Sequence, residues 1–198
     1  MPTVAVFIDG PWLYYAVKRI KLNQEINFKH LFETLREHFG DQTPIYYYDV
    51  ADSNDFKKKE FINELISIGY LVELARLFHR KKGGKEAIQI KGLDSKLIVR
   101  VNSLPNDVIS IILITGDSDY SPMVEQLVQS GKSVILISGD RFVSHSLVKA
   151  AGGKYVSLKK FLMNLQSGKE LFHIWLREKS QKSPKIGILK RVNTTLHT

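Results

Sequence analysis

The stretch Val108–Ser138 reads VISIILITGDSDYSPMVEQLVQSGKSVILIS, and the order of its parts decides the fold. Val108–Thr115 is almost continuously apolar and β-branched, as expected of a strand covered on both faces in a parallel sheet. A polar, glycine-containing turn follows at Gly116–Asp119. Pro122, Val124, Leu127 and Val128 then fall at helical spacing, and Gly131 suits the position just past a helix C-terminus. Ser133–Ser138 is a second β-branched run. Strand, helix and strand in such close succession make a βαβ unit, whose crossover is right-handed and whose strands are parallel.

The same alternation extends outward from this unit. Thr3–Ile8, Pro44–Val50 and Tyr70–Leu74 read as further strands, and Lys154–Leu158 as a weaker one. Phe28, Leu31, Phe32, Leu35 and Phe39 form a helical stripe. Phe56, Phe61, Leu65 and Ile68 form another, stopping near Gly69, and Leu97, Val101 and Leu104 a third, ending at Pro105. The expected architecture is α/β: a central, mainly parallel sheet with helices on both faces. Arg80–Lys85 (RKKGGK) reads as an exposed basic loop before a short extended run, Ala87–Ile90. Regular alternation fades after about Leu165. This gives one domain over 1–165 and, over 166–198, a helix around Phe172, Ile174, Trp175 and Leu176 followed by a polar, basic tail.

Composition narrows the function classes. The 198 residues are 43% apolar and 25% charged, which suits a folded globular chain rather than a disordered one. No apolar run approaches the roughly 20 residues that span a bilayer. The start, MPTVAVFIDG, lacks the basic and cleavage features of a secretory signal. With no cysteine, disulfides, zinc–thiolate sites and cysteine nucleophiles are excluded, and a cytoplasmic location is the expectation. The net charge of +9 is uneven: residues 1–168 hold 22 Lys/Arg against 18 Asp/Glu, and residues 169–198 hold 7 against 2. A basic excess of this kind points to a polyanionic partner.

In an open α/β sheet, ligands bind beyond the carboxyl ends of the strands. Three strand-to-helix junctions carry four acids there: Asp9 before Gly10, Asp94 in Lys91-Gly92-Leu93-Asp94, and Asp117 and Asp119 after Gly116. Asp94 and Asp119 taken singly also read as helix N-caps. Asp9, directly after an apolar strand, is a costly place for an unpartnered charge. Four convergent carboxylates call for Mg²⁺ or Mn²⁺, hard cations that take oxygen ligands. Such a site can activate water and neutralise the charge developing on a phosphodiester. The G-x-x-x-x-G-K-[ST] and G-x-G-x-x-G phosphate loops and the G-x-S-x-G elbow are all absent, against NTPase, dehydrogenase and serine-hydrolase chemistry.

Three blocks, FIDGPWLYYA (Phe7–Ala16), KGLDSKL (Lys91–Leu97) and ITGDSDYSPMVEQLVQSGKSV (Ile114–Val134), resemble the NYN domain of the PIN-like nuclease superfamily, the LabA/DUF88-like branch. The resemblance spans about residues 2–165. It implies a three-layer Rossmann-like (PIN-like) fold with a central, mainly parallel sheet and helices on both faces, and a metal-dependent endoribonuclease, with Asp9, Asp94, Asp117 and Asp119 as catalytic metal ligands and Thr115 and Ser118 as hydroxyl-bearing neighbours. Two positions depart from the family pattern. Trp12 stands where D-G-x-N expects Asn, and Arg100 stands six residues after Asp94, where a further acid is frequent.

Lys91, Trp12 and Arg100 join Thr115 and Ser118 as substrate-binding candidates, with Tyr14 and Tyr15 as bases' stacking partners beside Trp12. Tyr46-Tyr47-Tyr48 reads as packed strand. The six histidines show no zinc spacing. Lys57–Lys59, Arg80–Lys82 and Lys159–Lys160 are either solvated surface or phosphate contacts. The expected partner is RNA, with a homo-oligomer allowed for and no membrane; the tail would engage nucleic acid or a protein. The alternative to a nuclease is a non-catalytic RNA- or protein-binding module on the same scaffold. A phosphatase or DNA nuclease using the same acids is a weaker third reading.

Overall fold

The computed structural model describes residues 3–20, 26–51, 55–82, 85–140 and 142–166, with side chains described for all of these except 51, 78–82, 85–91 and 166. The helix expected around Phe172–Leu176 and the basic tail lie outside the described residues.

Seven strands form one sheet in the order β4-β3-β2-β1-β5-β6-β7. They are β1 (Thr3–Asp9), β2 (Ile45–Ala51), β3 (Leu71–Lys82), β4 (Lys85–Lys91), β5 (Val108–Ile114), β6 (Ser133–Ser138) and β7 (Tyr155–Ser157). Six run parallel; β4 pairs antiparallel with the end of β3. The chain builds β1, β2 and β3 in one direction, then returns through β4 and α4 (Leu93–Asn102) to lay β5 on the other side of β1. Strand order therefore reverses between β1 and β5.

Period-2 alternation distributes the strand side chains to two cores. Val6, Ile8, Tyr47, Ile112, Ile114 and Ile137 pack with α1 (Gly10–Ile20), α2 (Phe28–Phe39), α3 (Phe56–Ile68) and α7 (Leu158–Gln166). Ala5, Phe7, Tyr48, Ile111, Leu113 and Leu136 pack on the other face with α4, α5 (Ser121–Gln129) and α6 (His145–Ala150). Helices cover both faces, as the sequence pattern predicts. The three tyrosines also alternate: Tyr46 stacks on Phe7 at 4.8 Å, whereas Tyr47 meets Phe28 edge-on at 5.6 Å. Asn27 and Asp55 cap α2 and α3, and Gly69 and Gly131 adopt the left-handed conformation past α3 and α5.

One expectation is corrected. Arg80–Lys82 and Lys85 are strand rather than loop: β3 continues to Lys82 and β4 begins at Lys85, in register from Arg76↔Lys91 to Lys82↔Lys85. The missed signal is Gly83-Gly84, a two-residue glycine pair between the strands of a hairpin. Charged residues are tolerated there because an edge hairpin pairs through its backbone.

Gly10 sets how closely α1 leaves β1. A Cβ at this position would lie 2.6 Å from the Tyr48 carbonyl oxygen and 2.8 Å from the Tyr47 ring. Because the first of these neighbours is backbone, it cannot swing aside. Gly10→Ala is expected to cost about 1–3 kcal/mol, the usual range for overpacking, read as a lowered urea midpoint with an unchanged slope. A midpoint equal to the parent's would show that α1 is not held this tightly.

Candidate active site

The strand order reverses between β1 and β5, and this class of sheet places its ligands in the crevice beyond the carboxyl ends of the strands at such a point. Asp9, the last residue of β1, sits at this point and is only 5% exposed. Its Oδ1 accepts the Trp12 backbone N–H at 3.1 Å, and its Oδ2 accepts the Thr115 hydroxyl at 2.9 Å. Thr115, fully buried just past β5, also receives the Asp117 N–H on its Oγ1 at 3.3 Å. One hydroxyl thus ties the ends of the two central strands together.

Burial is the largest influence on Asp9 and raises its pKa to about 6. The bonds from Trp12 and Thr115 pull it back; the negative charges of Asp94 and Asp117 push it further up. Asp94 is exposed in the first turn of α4 and accepts a 2.7 Å hydrogen bond on Oδ1 from the hydroxyl of Tyr120, whose ring is buried. Burial, Asp9 and Asp94 all hold Tyr120 in its protonated, donating form.

The structure assigns the helix caps differently from the simplest reading of the sequence. Gly92, at φ 85°, occupies the N-cap of α4, so Asp94 is not a cap. Asp117, not Asp119, caps the short 3-10 turn at Ser118–Tyr120, accepting the Asp119 N–H at 3.0 Å. Asp9, Asp94 and Asp117 are electrostatic neighbours; Asp119 and Ser118 are exposed on the rim of the same turn. Lys91 ends β4 opposite Arg76, and its side chain is outside the described ones. Arg100 donates to Glu73 on β3 at 2.9 Å and lies 5.7 Å from the Tyr46 ring.

Trp12 is half-buried and packs its indole against Gly116, where an added Cβ would meet Cζ2 at 2.7 Å, and against Phe142 at 6.1 Å. The bond to Asp9 comes from the backbone N–H of residue 12, so it survives a change from Asn to Trp. Of the histidines, His30 ties α2 to α7, donating from Nε2 to the Leu165 carbonyl at 2.8 Å.

Two residues of this region were not singled out from the sequence. Tyr120 lies inside GDSDYSP, next to Asp119, and nothing in its spacing marks it as a partner of Asp94, 26 residues away. Asp49, near the end of β2, is 2% exposed and pairs with Lys58 of α3 at 2.5 Å. The rule that flagged Asp9, an acid at the end of an apolar strand, identifies Asp49 too.

These two acids differ in one respect. Asp49 has a lysine against it; among the described residues, the charged groups acting on Asp9 are Asp94 and Asp117, both negative. Among the described residues, no three His, Cys, Asp or Glu side chains are already arranged to hold an ion. The carboxylates are instead engaged by Trp12, Thr115, Tyr120 and the Asp119 N–H. In kind, all-oxygen donors around a desolvated, uncompensated carboxylate fit a hard divalent cation.

The comparisons bear on the family and the fold. The family model of the NYN domain matches residues 3–159, which include all four acids. Low amplitude and bright protein LabA of Synechococcus elongatus is 26% identical over 165 residues, covering 78% of this chain and 83% of that protein. A crystal structure of a Vibrio parahaemolyticus protein of unknown function has the same fold at a TM-score of 0.64 and 24% identity, over 79% of this chain and 93% of the other. With the three blocks, the sheet order and the family match in agreement, the chain belongs to the NYN domain family, within the nuclease-like PIN superfamily.

Proposed function

We propose that this protein is a divalent-metal-dependent ribonuclease that hydrolyses RNA phosphodiester bonds in the crevice between β1 and β5. The observation that carries the reading is the burial of Asp9 beside Asp94 and Asp117 with no cation against it among the described residues, where the buried Asp49 is paired with Lys58. Membership of a nuclease-like family and a basic chain of +9 support an anionic polymer as the substrate.

Asp9, Asp94 and Asp117 would hold Mg²⁺ or Mn²⁺, with Asp119 on the rim as a further ligand or as the group that orients water. Such an ion, when bound, supplies Lewis acidity and lowers the pKa of water. The chain's own contribution is to aim the carboxylates. The Trp12 N–H and the Thr115 hydroxyl fix both oxygens of Asp9, and Tyr120 holds Oδ1 of Asp94. Thr115 also anchors the turn that carries Asp117 and Asp119.

One observation favours a second reading, a non-catalytic RNA- or protein-binding module. Among the described residues the acids are engaged by protein donors rather than grouped as ligands; of the two departures from the family pattern, Trp12 packs against Gly116 and Phe142, and the exposed Arg100 is paired with Glu73.

Cleavage separates the two. Purified protein with Mn²⁺ is expected to cut RNA, and EDTA, Asp9→Asn or Asp117→Asn to abolish it; DNA and a nucleoside monophosphate assayed alongside define the substrate class. RNA binding without turnover across several metals would establish the module instead. Cleavage that persists in the Asp9→Asn, Asp117→Asn double variant would place the activity elsewhere.

Stability gives an independent test. Asp9 titrates near 6 when folded against an ordinary 3.8, so the folded state holds its proton more tightly. The stabilisation this brings is complete below the unfolded value and is lost as pH rises through the folded one. At neutral pH the ionised group costs on the order of 2–3 kcal/mol. In EDTA, Asp9→Asn should therefore melt higher than the parent at neutral pH and converge with it as the pH falls below the unfolded value. Mn²⁺ should raise the Tm of the parent and leave the variant unmoved. A variant that melts below the parent at neutral pH would show that the Asp9 carboxylate is compensated within the protein.

A further inference from the structure

Helix α1 leaves the crevice directly after Asp9 and carries an exposed face that the acid site does not use. Tyr14 is 56% exposed and Tyr15 is 63% exposed, and their rings meet edge-on at 5.4 Å. Exposed aromatics side by side on a surface helix are unusual for a face that meets only water. The helix has no acidic residue, and its last turn carries Lys18 and Arg19. Lys18 Nζ sits 4.1 Å from the Tyr14 ring centroid and donates to its hydroxyl. Arg19 lies 5.6 Å from the Phe142 ring, and Phe142 lies 6.1 Å from Trp12. Trp12 in turn rests on Gly116, the residue before Asp117.

At about 100° per residue, Trp12, Tyr15 and Arg19 fall within roughly 60° of one another around α1. Cations and aromatic rings therefore alternate in a strip that runs from the outer surface of α1 to the turn holding Asp117. This is the composition of a single-strand track: basic groups follow the phosphates, and ring faces take unpaired bases. Tyr15 is the stacking position, since the Tyr14 ring already carries Lys18.

We infer that the exposed face of α1 binds single-stranded nucleic acid, with an unpaired base on Tyr15 and flanking phosphates at Lys18 and Arg19, and leads the strand toward the acidic crevice. The direction of travel rests on the ribonuclease reading; the binding itself does not. A base paired in a duplex offers no free face to a side chain on a convex helix, so the strip discriminates against double strands.

The test is done in EDTA, so that binding is measured with no cleavage required. The affinity of the full chain for a labelled oligouridylate is compared with that for an RNA duplex, by fluorescence anisotropy over a salt series. Tyr15→Ala should weaken single-strand binding about tenfold, Tyr15→Phe should stay close to the parent, and duplex binding should not respond. Lys18→Gln should reduce the slope of log affinity against log salt by about one counterion. The inference fails if the parent does not bind the single strand. It also fails if Tyr15→Ala binds like the parent, or if single-strand and duplex affinities fall together. A change confined to oligomeric state on size exclusion would make this face a protein interface and overturn it. Because no metal is present, a protein that cuts nothing can still pass, and one that cuts RNA can still fail.

Discussion

The desolvation of one carboxylate organises this molecule. Asp9 lies at the end of the central strand, where β1 has apolar neighbours on both faces and a parallel partner on each side. A charge there is tolerated only if something offsets it, and among the described residues the ionised groups acting on it are of the same sign. Several otherwise separate features follow from that constraint. Thr115 and the Trp12 N–H occupy the two oxygens of Asp9, and Gly10 lets the chain turn close enough for the Trp12 N–H to reach back. Gly116 leaves room for the indole that closes this side of the crevice. The arrangement lowers the stability of the folded chain in exchange for a site that a divalent cation would complete.

The two cores and the sheet order exist independently of that site and hold it in position. The return of the chain from β4 through α4 places Asp94 above the second face, and the β5 turn brings Tyr120 beneath it. Binding chemistry is thus spread over three junctions that only the crossover unites. The charge distribution fits this division: a local negative group at the strand ends lies within a chain whose net charge is +9, and α1, which follows Asp9 directly, carries Lys18, Arg19 and the exposed Tyr14 and Tyr15.

Much of this was legible in the sequence, for physical reasons that also set the limits. Val108–Ser138 folds as read, with strands at Val108–Ile114 and Ser133–Ser138 and a helix at Ser121–Gln129, because each part combines a local periodicity with a local stop signal. β3 was visible only as far as Leu74. Its outer half is stabilised by the antiparallel β4, and that pairing leaves no mark on the periodicity of RLFHRKK. The positions of the acids were readable at the strand ends, but their partners were not. Thr115 reaches Asp9 across 106 residues and Tyr120 reaches Asp94 across 26, distances that only the crossover closes. Arg100 shows the same limit: its place six residues beyond Asp94 is readable, but its bond to Glu73 on β3, 27 residues away, is not.

The central claim is that the buried charge of Asp9 is offset by a divalent cation shared with Asp94 and Asp117. An anomalous difference map from crystals grown with Mn²⁺ tests it most directly. The account predicts a peak at about 2.1–2.3 Å from carboxylate oxygens of Asp9 and Asp117, with Asp94 turned toward it and the Thr115 hydroxyl still on Asp9. A map with no peak in the crevice at saturating Mn²⁺, and with Asp9 still bonded only to Trp12 and Thr115, would contradict it.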